Sequence, residues 1–174
     1  MTTLPRIAIH ATSVVLGDAA APFGAALDAA VLLLGSSGSG KSDVALRLIA
    51  MGARLVSDDQ TALYVEDGRL YAEAPPSLHG QIEIRGTGIV KLNAAGPTLV
   101  VLAVYLEPER NIERLPEPIS YRLPPPLYAL VPPPLLTLRP FEASTPAKIA
   151  AAAAAVARGT FVAGASSPSS APFL

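Results

Sequence analysis

A glycine-rich loop that ends in lysine and serine carries the strongest chemical signal in the sequence. Residues 35–42 read GSSGSGKS and fit the pattern G-x-x-x-x-G-K-S in full. In such a loop the backbone N–H groups surround a phosphate, the lysine bridges the β- and γ-phosphates, and the serine hydroxyl ligates Mg²⁺. The pattern therefore predicts a nucleotide site formed by Gly35, Ser36, Ser37, Gly38, Ser39, Gly40, Lys41 and Ser42.

Two neighbouring acids, Asp58 and Asp59, end the predicted strand that follows the loop and its helix. Phosphoryl transfer needs a carboxylate near the metal and a group that positions the attacking nucleophile. Adjacent residues on a strand face opposite sides, so we expect one acid at the metal and the other at the acceptor hydroxyl. The alternative is a solvated turn or a helix cap.

Three further residues could take part in this chemistry. In the stretch IEIRG the alternation of a strand places Glu83 and Arg85 on one side, where they would supply a metal ligand and a cation. A cross-strand ion pair explains their spacing equally well. His10 ends a predicted strand, a position at which a structural hydrogen bond is the more common role.

The elements that must position these residues alternate between strands and helices. The predicted strands cover 6–17 with a break near His10, 31–34, 53–59, 62–74 as a hairpin turning at Asp67 and Gly68, 81–92 with a glycine-containing turn, and a central strand at 98–107. A helix at 42–51 follows the phosphate-binding loop directly. The order strand, glycine loop, helix excludes a flexible Gly/Ser linker for residues 35–42.

The remaining segments are predicted from glycine, proline and capping signals. Residues 18–30 read as a flexible connector, and residues 115–140, with two triple prolines, as an extended surface connector. A helix is expected over 144–159, with Thr145 as cap, Pro146 at its first position and Gly159 as terminator. Residues 1–159 are predicted to form one domain, and 160–174 a disordered tail.

Composition limits the classes of partner. The 174 residues carry a net charge of −1 without a basic tract, which predicts no binding to nucleic acid. There is no cysteine for a disulfide or thiolate site, and no apolar run reaches the ~18 residues of a membrane span. We therefore expect a cytoplasmic protein that does not bind membranes.

Taken together, the motifs resemble the catalytic domain of bacterial HPr kinase/phosphorylase. The resemblance rests on GSSGSGKSDVALRLIAMGARLVSDD and IEIRGTGIV in this order, and it extends from about His10 to Arg139. It implies an α/β fold, a P-loop-containing mixed sheet with flanking helices. It also implies a hexamer that uses ATP and Mg²⁺ to phosphorylate a serine of an HPr-like phosphocarrier of the phosphotransferase system.

The family's site residues carry over by position. Lys41 and Ser42 match the phosphate and magnesium ligands, Asp59 matches the acceptor of the serine proton, and Glu83 matches a magnesium ligand. This leaves Asp58 as the acid expected beside the metal.

His10 matches the family's active-site histidine, and Arg114 an arginine that engages the transferring phosphate. The chain departs from the pattern in three places: we expect it to lack the separate N-terminal domain of longer members, as short forms in some proteobacteria do, it has an apparent insertion between His10 and Gly35, and it reads LRPFEAS at 138–144. At this last position the family has a basic, glycine-containing loop linked to dephosphorylation. The reverse reaction, in which inorganic phosphate releases pyrophosphate, is therefore less firmly predicted than the kinase reaction.

Two other functions stay open at this level. A small-metabolite kinase shares the phosphate-binding loop and the chain length, although its usual arginine-rich lid is absent from this strand- and proline-rich sequence. A nucleotide-sensing module without catalysis would also keep the loop.

Overall fold

A mixed sheet with two helices on one face forms the fold. The computed structural model describes residues 4–162. The strands are β1 (Ile7–Gly17), β2 (Leu27–Leu34), β3 (Arg54–Ser57), β4 (Gln60–Glu66), β5 (Arg69–Glu73), β6 (Gln81–Ile84), β7 (Gly88–Lys91), β8 (Thr98–Leu106), β9 (Ile119–Ser120) and β10 (Pro134–Leu138). The helices are α1 (Lys41–Ala50) and α2 (Thr145–Ala157), with short 3₁₀ helices at Asp18–Phe23 and Pro76–Leu78.

The strand order places the carboxyl ends of three parallel strands side by side. The main sheet runs β2-β1-β4-β5-β8-β10-β9, β3 pairs with β1, and an additional pairing of β8 with β2 closes five strands into a ring. Strands β2, β8 and β10 are parallel, whereas β1 runs antiparallel to both β2 and β3. Strand β8 is therefore central, as the sequence predicted, and β6 and β7 form a separate two-stranded ribbon.

Two apolar clusters hold the layers together. One lies between the sheet and the helices and includes Leu33, Leu48, Leu102 and Ile149, and the other is formed largely by strands of the ring. Burial of such side chains is worth roughly 1.5–3 kcal/mol each, so these clusters fix the sheet that carries the loops.

Strand β1 is continuous through His10, and the predicted break there is wrong. Residues Ile7 to His10 pair with β4, while Ala11 to Gly17 pair with β2 and part of this half also pairs with β3. The strand continues through His10 because it exchanges one partner strand for another there, and the new partner supplies hydrogen bonds to its backbone.

The predicted flexible connector at 18–30 is also wrong. It contains the 3₁₀ helix, in which Ala19 and Ala20 are fully buried, and the first residues of β2. Both alanines join the cluster that contains Ala150 and Ala153 of α2. Their small side chains allow the 3₁₀ helix and α2 to approach closely.

The proline-rich segment adds two strands that the sequence did not predict. Strand β10 pairs in parallel with β8, and Pro134 is its first residue, a position that tolerates a missing N–H group. The short β9 pairs with β10 at the sheet edge. The rest of this segment is irregular, as expected for a connector.

Local signals were more successful elsewhere. Asp67 and Gly68 form the hairpin turn between β4 and β5, both with positive φ, and α1 and α2 lie where they were predicted. Thr145 is not the cap of α2, because its hydroxyl donates to the carbonyl oxygen of Arg139 and Ser144 occupies the cap position. The predicted disordered tail falls largely on residues 163–174, which lie outside the described residues.

Candidate active site

A cleft of about 550 Å³ opens at the carboxyl ends of β2 and β3. Ligands of α/β sheets bind at this edge, where loops leave the strands. Because β1 is antiparallel to both strands, its beginning reaches the same edge: Ala11 lies opposite Leu34, the last residue of β2. The predicted site residues that line this cleft include Ser37, Gly38 and Gly40 of the loop and also His10, Lys41, Ser42, Asp58, Asp59 and Glu83.

The glycine loop wraps around the start of α1. Gly40 is the N-cap residue and has φ 95°, a left-handed conformation that favours glycine. The N-terminus of α1 then points its free N–H groups and partial positive charge into the cleft. The anion site is thus formed by residues that are consecutive in the sequence.

Lys41 is positioned by the loop that it belongs to. Its Nζ donates to the carbonyl oxygens of Gly35 and Ser36, both at 2.9 Å. Burial lowers the pKa of Lys41, and the negative charges of Asp59 and Asp58 oppose this shift. The ammonium group thus lies in the cleft, within reach of an anion held by the loop.

Asp58 connects three segments of the site. This buried carboxylate accepts hydrogen bonds from the Ser42 hydroxyl at 2.7 Å, the Thr12 hydroxyl at 2.9 Å and the Glu83 backbone N–H at 3.0 Å. It therefore orients Ser42, the predicted magnesium ligand. Asp58 would thus act on a metal ion bound by Ser42 through the hydroxyl of that serine.

Asp59 differs from Asp58 in its backbone conformation and in its exposure. The strand ends at Ser57, so the two acids do not continue it as predicted, and Asp59 has a left-handed φ of 66°. Its side chain is 69% exposed, and its Oδ1 lies 3.2 Å from Nδ1 of His10. The two acids thus contact different groups, and because they lie in a turn, the strand alternation expected for them does not apply.

Glu83 and Arg85 both line the cleft from the β6 side. Neither forms a salt bridge within residues 4–162, so the cross-strand ion pair that the sequence left open is not found there. Glu83 extends from β6, and its backbone N–H is fixed by Asp58. Arg85 lies in the turn between β6 and β7.

Arg114 is not brought into the cleft. It is exposed in the irregular segment between β8 and β9 and does not belong to the residues that line the cavity. Its predicted contact with the transferring phosphate has no counterpart in the described part of the chain.

The residues present fit a nucleotide with its magnesium ion. Left-handed glycines, a helix N-terminus, an ammonium group and a hydroxyl lie together, which is the donor set that phosphates require. Within residues 4–162 no group of three histidine or acidic side chains could hold a metal alone. Mg²⁺ commonly takes one or two protein ligands and completes its shell with phosphates and water, and the Ser42 hydroxyl and the Glu83 carboxylate, which both line the cleft, are ligands of that type.

Two residues of the site were missed from the sequence. Thr12 lies on the same face of β1 as His10, two positions on, which is a signal that strand periodicity could have given. Phe141 lines the cleft from the segment after β10, and that strand itself was not predicted.

No helix in the described range is long and apolar enough to cross a membrane.

Comparisons with known proteins found a matching family, curated relatives and a solved structure. Residues 23–101 match the family described as HPr Serine kinase C-terminal domain. The HPr kinase/phosphorylase of Lacticaseibacillus casei strain BL23 is 41% identical over 96 residues, which cover 49% of this chain and 30% of that protein. That of Clostridium novyi strain NT is 41% identical over 95 residues, 49% of this chain and 31% of the relative.

The chain therefore spans about 30% of the length of these curated relatives. A solved structure, the Hpr(Ser) kinase/phosphatase from Coxiella burnetii, superposes with a TM-score of 0.63 at 22% identity, covering 88% of this chain and 95% of that one. The likeness of the structures establishes the P-loop-containing α/β fold with its mixed sheet.

Proposed function

We propose that this protein is an ATP-dependent protein-serine kinase whose substrate is an HPr-like phosphocarrier, and the match of residues 23–101 to the HPr Serine kinase C-terminal domain family supports this. The observation that carries the proposal is the convergence of two units in one cleft. The first is the phosphate-binding loop with Lys41 and Ser42, and the second is the pair of His10 and Asp59.

The loop holds the nucleotide in this proposal. Backbone N–H groups of residues 38–42 and the ammonium group of Lys41 bind the phosphates, and Ser42 and Glu83 hold Mg²⁺. Bound ATP with its metal supplies a transferable phosphoryl group. Asp58 keeps the Ser42 hydroxyl in place through the bond of 2.7 Å, so the metal ligand is oriented before the nucleotide arrives.

Asp59 receives the serine. Its carboxylate is exposed at the mouth of the cleft, where the hydroxyl of a docked protein could reach it, and His10 fixes its orientation. Asp59 would accept a hydrogen bond from the serine hydroxyl, align it for in-line attack and take up its proton as the new bond forms. An exposed acceptor suits a protein substrate better than a small metabolite, which a lid would enclose.

Other parts of the proposal go with the family. We propose a cytoplasmic protein that assembles into hexamers. Dephosphorylation of the carrier by inorganic phosphate is proposed as a weaker activity, because residues 138–144 read LRPFEAS where the family has a basic, glycine-containing loop.

The test is transfer of labelled phosphate from ATP and Mg²⁺ to purified HPr-like carriers. We expect serine phosphorylation by the wild type and its loss in Asp59→Asn, with ATP binding retained, whereas Lys41→Ala should lose binding as well. Asp67→Asn is the matched control, because Asp67 also has positive φ but lies in a hairpin turn outside the cleft. A carrier in which the target serine is replaced by alanine shows that the signal is specific.

Each alternative gives a different result. Transfer to a small molecule but to no carrier would identify a metabolite kinase, and tight ATP binding without any turnover would identify a nucleotide sensor. Either result would overturn the proposed function.

A further inference from the structure

The segment that follows β10 reaches the phosphate-binding loop. Leu34 ends β2 and lies opposite Tyr105 of β8, and Leu138 ends β10 opposite Leu106. The two parallel strands therefore end at the same level of the sheet, and the chain leaves both at the edge where the cleft opens. Phe141 of this segment lines the cleft.

This segment is held by contacts that do not involve the aromatic ring. Arg47 of α1 donates to the carbonyl oxygens of Pro140 and Glu142, the second at 3.0 Å. The Glu142 carboxylate accepts from Lys148 of α2 at 2.9 Å. The backbone on both sides of Phe141 is thus fixed to the two helices, and the position of the ring follows from it.

The ring packs on the phosphate-binding loop by its edge. A Cβ atom built on Gly40 would lie 3.0 Å and 3.1 Å from Cε1 and Cζ of Phe141, so the ring covers the glycine without space for a side chain. The residue nevertheless stays 63% exposed. No other phenylalanine, tyrosine or tryptophan of residues 4–162 lines this cleft, whose walls are otherwise mainly polar or charged.

We propose that Phe141 is the platform on which the base of the bound nucleotide stacks. A nucleotide whose phosphates lie on residues 38–42 must place its base within one sugar of that loop, and Phe141 touches the loop at Gly40. Every base has an apolar face that stacks on an aromatic ring, and the exposed ring would be covered by it. The inference rests on nucleotide binding in the proposed function, but not on the identity of the phosphate acceptor.

The first experiment compares a nucleotide with a ligand that has no base. Calorimetry with Mg²⁺ measures the affinity of wild type and Phe141→Ala for ATP and for inorganic tripolyphosphate. We expect Phe141→Ala to weaken ATP binding about tenfold, in the range of base stacking, and to leave tripolyphosphate binding unchanged. Phe141→Tyr should restore the affinity for ATP, since it keeps an aromatic face.

An equal loss for both ligands would overturn the inference, because the ring would then only shape the loop. Unchanged affinity for both would also overturn it, and would leave the ring free for a protein partner. Tyr128→Ala is the matched control: Tyr128 is 74% exposed but lies outside the cleft, so its variant should bind both ligands like wild type.

A second readout uses the absence of tryptophan from the sequence. In Phe141→Trp the single indole should be quenched by ATP and not by tripolyphosphate, whereas in Tyr128→Trp neither ligand should change the fluorescence. Quenching in Phe141→Trp by both ligands alike would contradict base stacking. These results do not depend on phosphate transfer, so the stacking inference can hold even if no carrier is phosphorylated.

Discussion

Asp58 should be important for stability as well as for the site, and its replacement by alanine tests the geometry directly. The substitution removes one acceptor from three donors, the hydroxyls of Thr12 and Ser42 and the backbone N–H of Glu83. The Thr12 hydroxyl is fully buried and cannot turn to water, whereas the other two donors lie beside the cleft.

The magnitude follows from these three bonds. A buried donor without a partner costs about 1–3 kcal/mol, and donors that water can reach cost less. We therefore expect Asp58→Ala to lower the free energy of unfolding by about 3 kcal/mol, a large part of the roughly 5–15 kcal/mol typical of a domain. Asp58→Asn keeps an acceptor for the fixed Glu83 N–H and lets the hydroxyls rotate, so it should cost only about 1 kcal/mol.

Urea unfolding followed by circular dichroism measures these values. Asp28→Ala is the control, since its side chain is 91% exposed, and it should stay within about 0.5 kcal/mol of wild type. A double-mutant cycle with Thr12→Val should show a coupling of at least about 1 kcal/mol. A loss below about 1 kcal/mol in Asp58→Ala, or no coupling to Thr12, would refute the hydrogen-bond network as a source of stability.

Two further predictions concern the segment after β10. Arg47→Met removes the donors to Pro140 and Glu142 and should lower the free energy of unfolding by about 2 kcal/mol; an equal loss in the exposed control Arg54→Met would contradict it. The hydrogen bond from Lys148, with its charge, lowers the pKa of Glu142. The folded state therefore keeps this carboxylate ionised to lower pH than the unfolded state, and the pair stabilises the fold above the ordinary glutamate pKa and less as pH falls through the lowered value. Melting temperatures of wild type and Lys148→Met should thus differ near neutral pH and converge in acid, and a difference that is constant with pH would argue against the ion pair.

The parts of the fold that could be predicted are those whose cause is local. The phosphate-binding loop lies between an apolar strand and a helix within residues 31–51, and Asp67 and Gly68 form a turn that their own conformational preferences favour. The missed parts depend on distant partners. Strand β10 exists because β8 offers a parallel neighbour, and Ala19 and Ala20 are buried only once α2 lies against them.

The candidate site divides in the same way. The sequence was enough to predict that Ser42 and Asp58 lie close together. Ser42 lies at the start of α1, and Asp58 follows β3, which is the next element along the chain. The orientation of Asp59 comes from a left-handed backbone, which its residue type permits but does not require. Phe141 could not be assigned from the sequence. Its position depends on β10, which the proline-rich sequence did not predict, and on a hydrogen bond from Arg47 of α1 to the segment after that strand.

The change of partners along β1 ties the chemistry to the integrity of the whole sheet. His10 is the last residue that pairs with β4, and Ala11 the first that pairs with β2. His10, whose Nδ1 lies 3.2 Å from Asp59, is therefore the point at which β1 passes from one partner strand to the other, and local opening of either pairing would disturb its position. On this basis, substitutions in β4 that weaken its pairing with β1 would change the position of His10 relative to Asp59 before they unfold the protein.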